Sequence, residues 1–164
     1  MKRHQGFSLI ELLIVVAIIL IIAAIAIPNL IRSKMAANES SAVGSLRTIN
    51  TAEVSYYNSF PNTGFSATLA DLGGVPPCAV ASTAAACLID NSLANASAAA
   101  TNKSGYYFTY TPGAAAAGIV QTYTNSALPS AVGTSGQRGF FTDQSLVIRY
   151  SISGAATLAS SPIQ

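Results

Sequence analysis

Glu11 is the side chain that asks most of its surroundings. It stands near the front of a segment, Phe7 to Ile27, that is otherwise almost wholly apolar, and from Leu12 to Ile27 no polar side chain occurs. A carboxylate inside a bilayer costs about 2.5 kcal/mol or more, so an intramembrane acid is a functional candidate by default. Its natural partner is a cation at similar depth. A chain cut before Phe7 would supply one as its new α-amino group, on the same chain or on a neighbour. Cys78 and Cys87 form the second pair with chemistry. On an exported domain thiols are usually oxidised. A disulfide here would close a short loop and stabilise it by about 2–3 kcal/mol in the chain-entropy model. Free thiols are the alternative. A metal centre lacks ligands, because the single histidine is His4.

Catalytic chemistry finds little material elsewhere. Beyond residue 6 there is no histidine, so Ser/His/Asp and Cys/His triads there lack their base. Asp71, Asp90 and Asp143 lie far apart in turn contexts, where Asp is favoured for backbone reasons. No glycine loop has the spacing of a phosphate cradle. The expectation is a protein with no catalytic residues, no cofactor and no metal, and not an enzyme. Three Asn-x-Ser triplets, at Asn38, Asn95 and Asn102, match the N-glycosylation pattern, and chance accounts for them in so Asn/Ser-rich a chain.

The elements that must position Glu11 begin with the apolar run itself. Phe7 to Ile27 would make about 30 Å of α-helix, enough to cross a bilayer core, and in lipid such a run must be helical to satisfy its own backbone. Lys2 and Arg3 precede it, and basic flanks stay cytoplasmic. Everything after Pro28 would then lie outside the cytoplasm. From Asn29 to about Tyr57 the pattern continues as helix, with Val43, Leu46, Ile49, Val54 and Tyr57 on an arc of roughly 140°. Glu39 and Glu53 fall near that arc, at its edge, paired with Arg47 or Arg32, or simply solvated. A helix from Phe7 to Tyr57 would span about 75 Å, with Pro28 as its weak point.

Phe60-Pro61-Asn62-Thr63-Gly64 breaks the helix. A loop region to about Ser104 follows, with a short helix near Ala67–Leu72 and a mobile stretch at 94–104. Strands are expected at Tyr106–Thr111 and Ile119–Thr124. A hairpin of Gly139–Thr142 and Leu146–Tyr150 would turn at Asp143-Gln144-Ser145, after a loop at Pro129–Arg138. Four antiparallel strands against one helix face make a small α+β domain. Tyr106/Tyr107 and Phe140/Phe141 would each send one ring to either sheet face.

Gly6 followed by Phe7-Ser8-Leu9-Ile10-Glu11-Leu12 resembles the N-terminal signature of type IV pilins and the related type II secretion pseudopilins. The resemblance runs from Lys2 to about Asn29. It continues more loosely through the order of elements and the stretch Arg138 to Arg149. It implies the pilin fold, a long helix on a small antiparallel sheet. It also implies a leader, residues 1–6, cut by a membrane peptidase between Gly6 and Phe7, with N-methylation of Phe7. Glu11 would pair with the α-amino group of an adjacent subunit during filament assembly. Pro28 falls where pilins bend or loosen the helix. The implied layout is a leader at 1–6, an assembly helix at 7–28, and a head at 29–164. Within the head, helix runs to about 57, loop over 58–104 and sheet over 105–150.

Composition agrees with a structural subunit. Of eight Lys and Arg, Lys2 and Arg3 leave with the leader, so six face six Asp and Glu, and only 9% of residues are charged. A nucleic-acid footprint needs clustered positive charge, so no nucleic-acid partner is expected. The reading is a pilus subunit that forms a helical homo-oligomer. Its other partners are the leader peptidase/methyltransferase and an inner-membrane assembly platform. It would wait in the inner membrane as a single-pass protein and then enter an extracellular pilus. A pseudopilin, in a periplasmic pseudopilus, is the related alternative. Major secretion pseudopilins usually carry a calcium loop near the C-terminus, and hard cations need many oxygens, whereas the last thirty residues hold one acid, Asp143. Two readings outside the family compete. One is an ordinary signal peptide cut near Ala24-Ile25-Ala26, releasing a secreted binding domain. The other is a membrane-anchored binding domain with an incidental glutamate.

Overall fold

The computed structural model describes residues 7–74, 78, 80–152 and 154–163. The chain divides into two units, Met1–Lys34 and Met35–Gln164. One helix, α1 (Leu9–Ser59), contributes to both and contains Pro28. Between Leu9 and Val43 it has no glycine, and its first stretch is Leu, Ile, Val and Ala. It ends where Pro61 disfavours helical backbone at the preceding residue. The Thr63 and Gly64 N–H groups both return to the Phe60 carbonyl. Gly64 has φ +82, and a Cβ there would fall 2.1 Å from the Val120 carbonyl oxygen, so this turn admits only glycine.

In the first unit the apolar side chains stay exposed among the described residues. From Leu9 to Ile31 every Leu, Ile and Val is at least 41% exposed. In the second unit α1 lies on an antiparallel sheet of five strands: β1 (Tyr106–Pro112), β4 (Tyr123–Pro129), β5 (Gly139–Asp143), β6 (Arg149–Ser151) and β7 (Ser161–Pro162), in the order β1-β4-β5-β6-β7. A separate ribbon pairs β2 (Ala115–Ala116) with β3 (Ile119–Val120). Phe65 N–H donates to the Val120 carbonyl and Val120 N–H to the Thr63 carbonyl, tying the ribbon to the end of α1. A short helix, α2 (Asn91–Ala94), and 3-10 turns at Leu69–Leu72 and Ala99–Thr101 close the remaining side.

The α+β architecture expected from the sequence is present, with five strands in the sheet rather than four. β7 pairs with β6 through Arg149–Pro162 and Tyr150–Ser161. Its two residues carry no strand pattern of their own, and it exists because β6 offers a free edge. The second expected strand, Ile119–Thr124, is two elements: the ribbon strand β3, and β4, which runs on to Pro129 through what the sequence suggested was a loop start. The hairpin is also longer. β5 and β6 pair as Gly139–Ser151, Phe140–Tyr150 and Phe141–Arg149, so Leu146 to Ile148 belong to the turn. Leu146 itself has φ +64, which no strand tolerates.

The core is aromatic. Tyr56, Tyr106, Phe108, Tyr123 and Phe140 are each under 2% exposed, alongside Leu46, Ile49, Leu72 and Leu93. Full burial of each such apolar side chain stabilises by about 1.5–3 kcal/mol. Tyr106 and Phe140 point inward while Tyr107 and Phe141 face the other side half-buried, as the pairing of aromatics predicts. The buried arc of α1 is rotated from the expected one. Leu46 and Ile49 are inside, but Val54 and Tyr57 are exposed. Glu39, Ala42, Ser45, Asn50, Ala52, Glu53 and Tyr56 take the buried face instead. The stretch expected to be mobile also packs: Ala94 and Ala96 are buried, and Phe108 N–H donates to the Ala96 carbonyl.

Candidate functional site

The N-terminal segment is the candidate site, and its residues separate into described and undescribed ones. Gly6 and the residues before it, expected as a leader, lie outside the described residues. Phe7 is the first that the structure describes, non-helical and exposed. The helix behind it has an 18-residue window of mean hydropathy 3.3, none of it buried. It is long and apolar enough to cross a membrane.

Glu11 has a partner within its own chain. Ser8 N–H donates to Glu11 Oε2 at 2.9 Å, and Leu12 N–H donates to the Ser8 carbonyl at 3.2 Å. With α1 starting at Leu9, Ser8 is the N-cap and Glu11 the third helical residue. This is the glutamate half of a capping box, in which the side chain reaches back to an amide that the helix leaves unpaired. The signal is legible in the sequence as Ser-x-x-Glu at 8–11, just ahead of the apolar run. The same position places negative charge at the positive end of the helix dipole. The carboxylate is otherwise exposed and open to a further cation.

Pro28 stands inside α1 rather than at its end. It offers no N–H to the carbonyl of Ala24, so one rung of the helical ladder is missing there.

Cys78 and Cys87 form a disulfide, with Cα atoms 6.1 Å apart. Gly74 makes room for it. Cys87 N–H donates to the Gly73 carbonyl, and a Cβ on Gly74 would sit 2.4 Å from Cys87 Sγ.

Two carboxylates that the sequence left ambiguous hold the head together. Glu39 Oε1 accepts the N–H groups of Gln137 and Arg138 at 3.0 and 3.2 Å, and Oε2 accepts Arg138 Nε–H at 2.7 Å. Burial raises the Glu39 pKa, but the Gln137 amide and the Arg138 side chain and amide outweigh it, so the net direction is down. The Arg138 guanidinium also lies over the rings of Phe140 and Tyr150, 5.7 and 5.8 Å from their centroids. Its partner is therefore Arg138, not the nearby Arg32 or Arg47. Glu53 is fully buried without a cation. It accepts Ser66 Oγ–H at 2.5 Å and Ser66 N–H at 3.1 Å. Burial pushes its pKa up against the pull of those bonds. Neither partner is visible from local sequence.

The three aspartates do backbone work. Asp71 accepts Thr68 N–H, Asp90 accepts Leu93 N–H at the start of α2, and Asp143 accepts Ser145 N–H. Hydrogen bonds from Lys103 and Ser92 bring the Asp90 carboxyl down to about 2. Among the described residues no group of three His, Cys, Asp or Glu could hold a metal ion.

Comparison with known proteins places one match on this segment. Residues 1–27 match the family model described as the prokaryotic N-terminal methylation motif. The chain is 50% identical over 56 residues to the type IV major pilin protein PilA of Myxococcus xanthus, a match covering 34% of this chain and 26% of that protein. It is 55% identical over 40 residues to the type IV wide pilus major component PilA4 of Thermus thermophilus, covering 24% of this chain and 30% of that protein. The chain thus spans less than a third of the length of either relative. No solved structure matches it. The chain is thus similar to type IV pilins over 34% of its length at most, with the methylation motif at the head of a bilayer-length apolar helix.

Proposed function

We propose that this protein is a structural subunit of a type IV pilus, inserted in the inner membrane by its apolar helix and assembled into a filament after cleavage between Gly6 and Phe7. The observation that carries the proposal is the methylation motif at residues 1–27 leading directly into an exposed apolar helix. Its relatives' names, a major pilin and a wide-pilus major component, support the same role. The partners are other copies of the chain, a leader peptidase that also methylates Phe7, and a membrane platform that feeds subunits into the filament.

Assembly exchanges lipid for other subunits' helices around the same apolar surface. Lipid tails are as apolar as Leu, so hydrophobicity alone cannot drive the exchange, and close packing with paired polar groups must contribute. Glu11 is placed to supply one such group. Its carboxylate is exposed and would take the α-amino cation of a neighbour, fixing axial register. The experiment combines electron microscopy of surface filaments with mass spectrometry of their subunit. The subunit is expected to begin at methylated Phe7. Glu11→Ala should insert in the membrane and be processed, yet stay out of filaments. Normal assembly of that variant would sink the register role. A subunit retaining residues 1–6, or cut near Ala26, would sink the proposal as a whole.

A further inference from the structure

The second unit holds a cavity of about 360 Å³ on the sheet face turned away from α1. Antiparallel register sets Thr111 opposite Thr124, and Thr124 opposite Asp143. Three side chains therefore stand abreast on one face. Thr122 enters just before β4 and Gln144 leaves just after β5. Phe141, two residues before Asp143 and on the same face, forms an apolar wall with Leu158 from the C-terminal segment.

Most of the polar groups that line this cavity have no side-chain partner among the described residues. Asp143 Oδ1 accepts both the N–H and the O–H of Ser145. Its Oδ2, the hydroxyls of Thr111, Thr122 and Thr124, and the Gln144 amide make no side-chain hydrogen bond to any described residue. Free hydroxyls are not the habit of this chain. On α1, Thr48, Thr51, Ser55 and Ser59 each return theirs to the carbonyl four residues back.

Several neutral hydroxyls, one carboxylate oxygen, one carboxamide and an apolar wall make a particular chemical surface. A hard cation wants six to eight oxygens, and the cavity offers one carboxylate. An amine would use Asp143 and Phe141 but leave the three threonines idle. A pyranose uses all of it: ring hydroxyls both donate to and accept from such groups, and its C–H face lies on the apolar wall. We propose that this cavity binds a neutral hexose unit. The inference rests on the head alone and is independent of filament assembly.

The test uses the purified full chain in an amine-oxide detergent, which carries no sugar. It is titrated with the methyl glycosides of glucose, galactose and mannose, and binding is read by saturation-transfer and chemical-shift NMR. At least one glycoside is expected to bind with a Kd of about 1–10 mM, the weak end of specific affinity, and to shift the amide signals of Thr124 and Gln144. Thr111→Val with Thr124→Val, isosteric changes at exposed positions, should weaken binding at least about tenfold with an unchanged melting curve. If that double variant does not fold, Gln144→Ala is read instead and should weaken binding too. Absence of binding at about 50 mM of every glycoside, far above such a Kd, would overturn the proposal. Binding untouched by these variants would overturn it as well. So would a preference for tetramethylammonium, which would mark an amine site.

Discussion

Replacing Glu39 with Gln isolates one bond that fastens the loop before β5 to α1. Gln keeps an acceptor for the Gln137 and Arg138 amides, held at 3.0 and 3.2 Å. It puts an NH2 group against Arg138 Nε, where the native oxygen lies 2.7 Å away. A hydrogen bond to a charged group contributes about 1.5–3 kcal/mol. The Arg138 side chain is 44% exposed, so solvent screening reduces this to about 1–2 kcal/mol. The second unit spans Met35–Gln164, and at about 2.1 cal/mol/K per residue its unfolding entropy converts that loss to a fall of about 4–7 °C in melting temperature. The guanidinium keeps its place over Phe140 and Tyr150, so the fold should survive. The assay is thermal unfolding of the full chain in detergent, followed by circular dichroism. The pH series supplies the sharper check. The Glu39 pKa is depressed, so its contribution is present above the ordinary value of 4.5 and fades as pH falls through the folded value. The gap between the two proteins should therefore be widest near neutrality and close in acid, where protonated Glu39 resembles Gln. A gap under about 2 °C at pH 7, or one that persists unchanged into strong acid, would refute the charge-based reasoning.

Glu53 behaves in the opposite sense. Its pKa is raised by burial, so its own contribution to stability is fully present below 4.5 and is lost as pH rises through the folded value. Glu53→Gln should flatten that decline and match or exceed the native protein at pH 8. A large loss at pH 8 would show that Ser66 depends on the carboxylate charge. Reducing the Cys78–Cys87 bond, or replacing both cysteines with Ser, should cost about 2–3 kcal/mol, read as a lower denaturant midpoint. Gly74→Ala should imitate part of that loss, because its Cβ would meet Cys87 Sγ at 2.4 Å and Cys78 Sγ at 3.2 Å; an unchanged midpoint would mean the loop has room. Gly6 replaced by a bulky residue should leave the N-terminal mass uncut, and normal processing would contradict the assigned cleavage position.

The N-terminal half of this reading was legible because its signal is one-dimensional. An apolar run of bilayer length, a carboxylate near its front and a short basic stretch before it can be seen without knowing what touches what. The helix, the strand-rich C-terminal half and the two-faced aromatic pairs follow from period and propensity. The buried face of α1 did not, and the reason is physical. Hydropathy favours Val54 and Tyr57, but the sheet and loops offer hydrogen bonds to Asn50, Glu39 and Glu53. Asn50 meets Thr142 and Tyr123, and Glu39 meets Arg138, across separations of 92, 73 and 99 residues. A buried polar group is acceptable once it is paired, and pairing at that range leaves no local trace. β7 was hidden for a related reason. Its two residues become a strand only because the edge of β6 receives them.

The Ser8–Glu11 bond bears on how such a subunit could travel in both directions. A carboxylate that already holds an amide proton of its own chain does not have to be stripped from water and left bare while the subunit waits in lipid. A neighbour's amine would then be a second guest at an oxygen that is never without a first. A subunit leaving a filament would lose the guest and keep the original bond. Departure would leave the carboxylate with one neutral hydrogen bond rather than none, while its charge would again lack a cation.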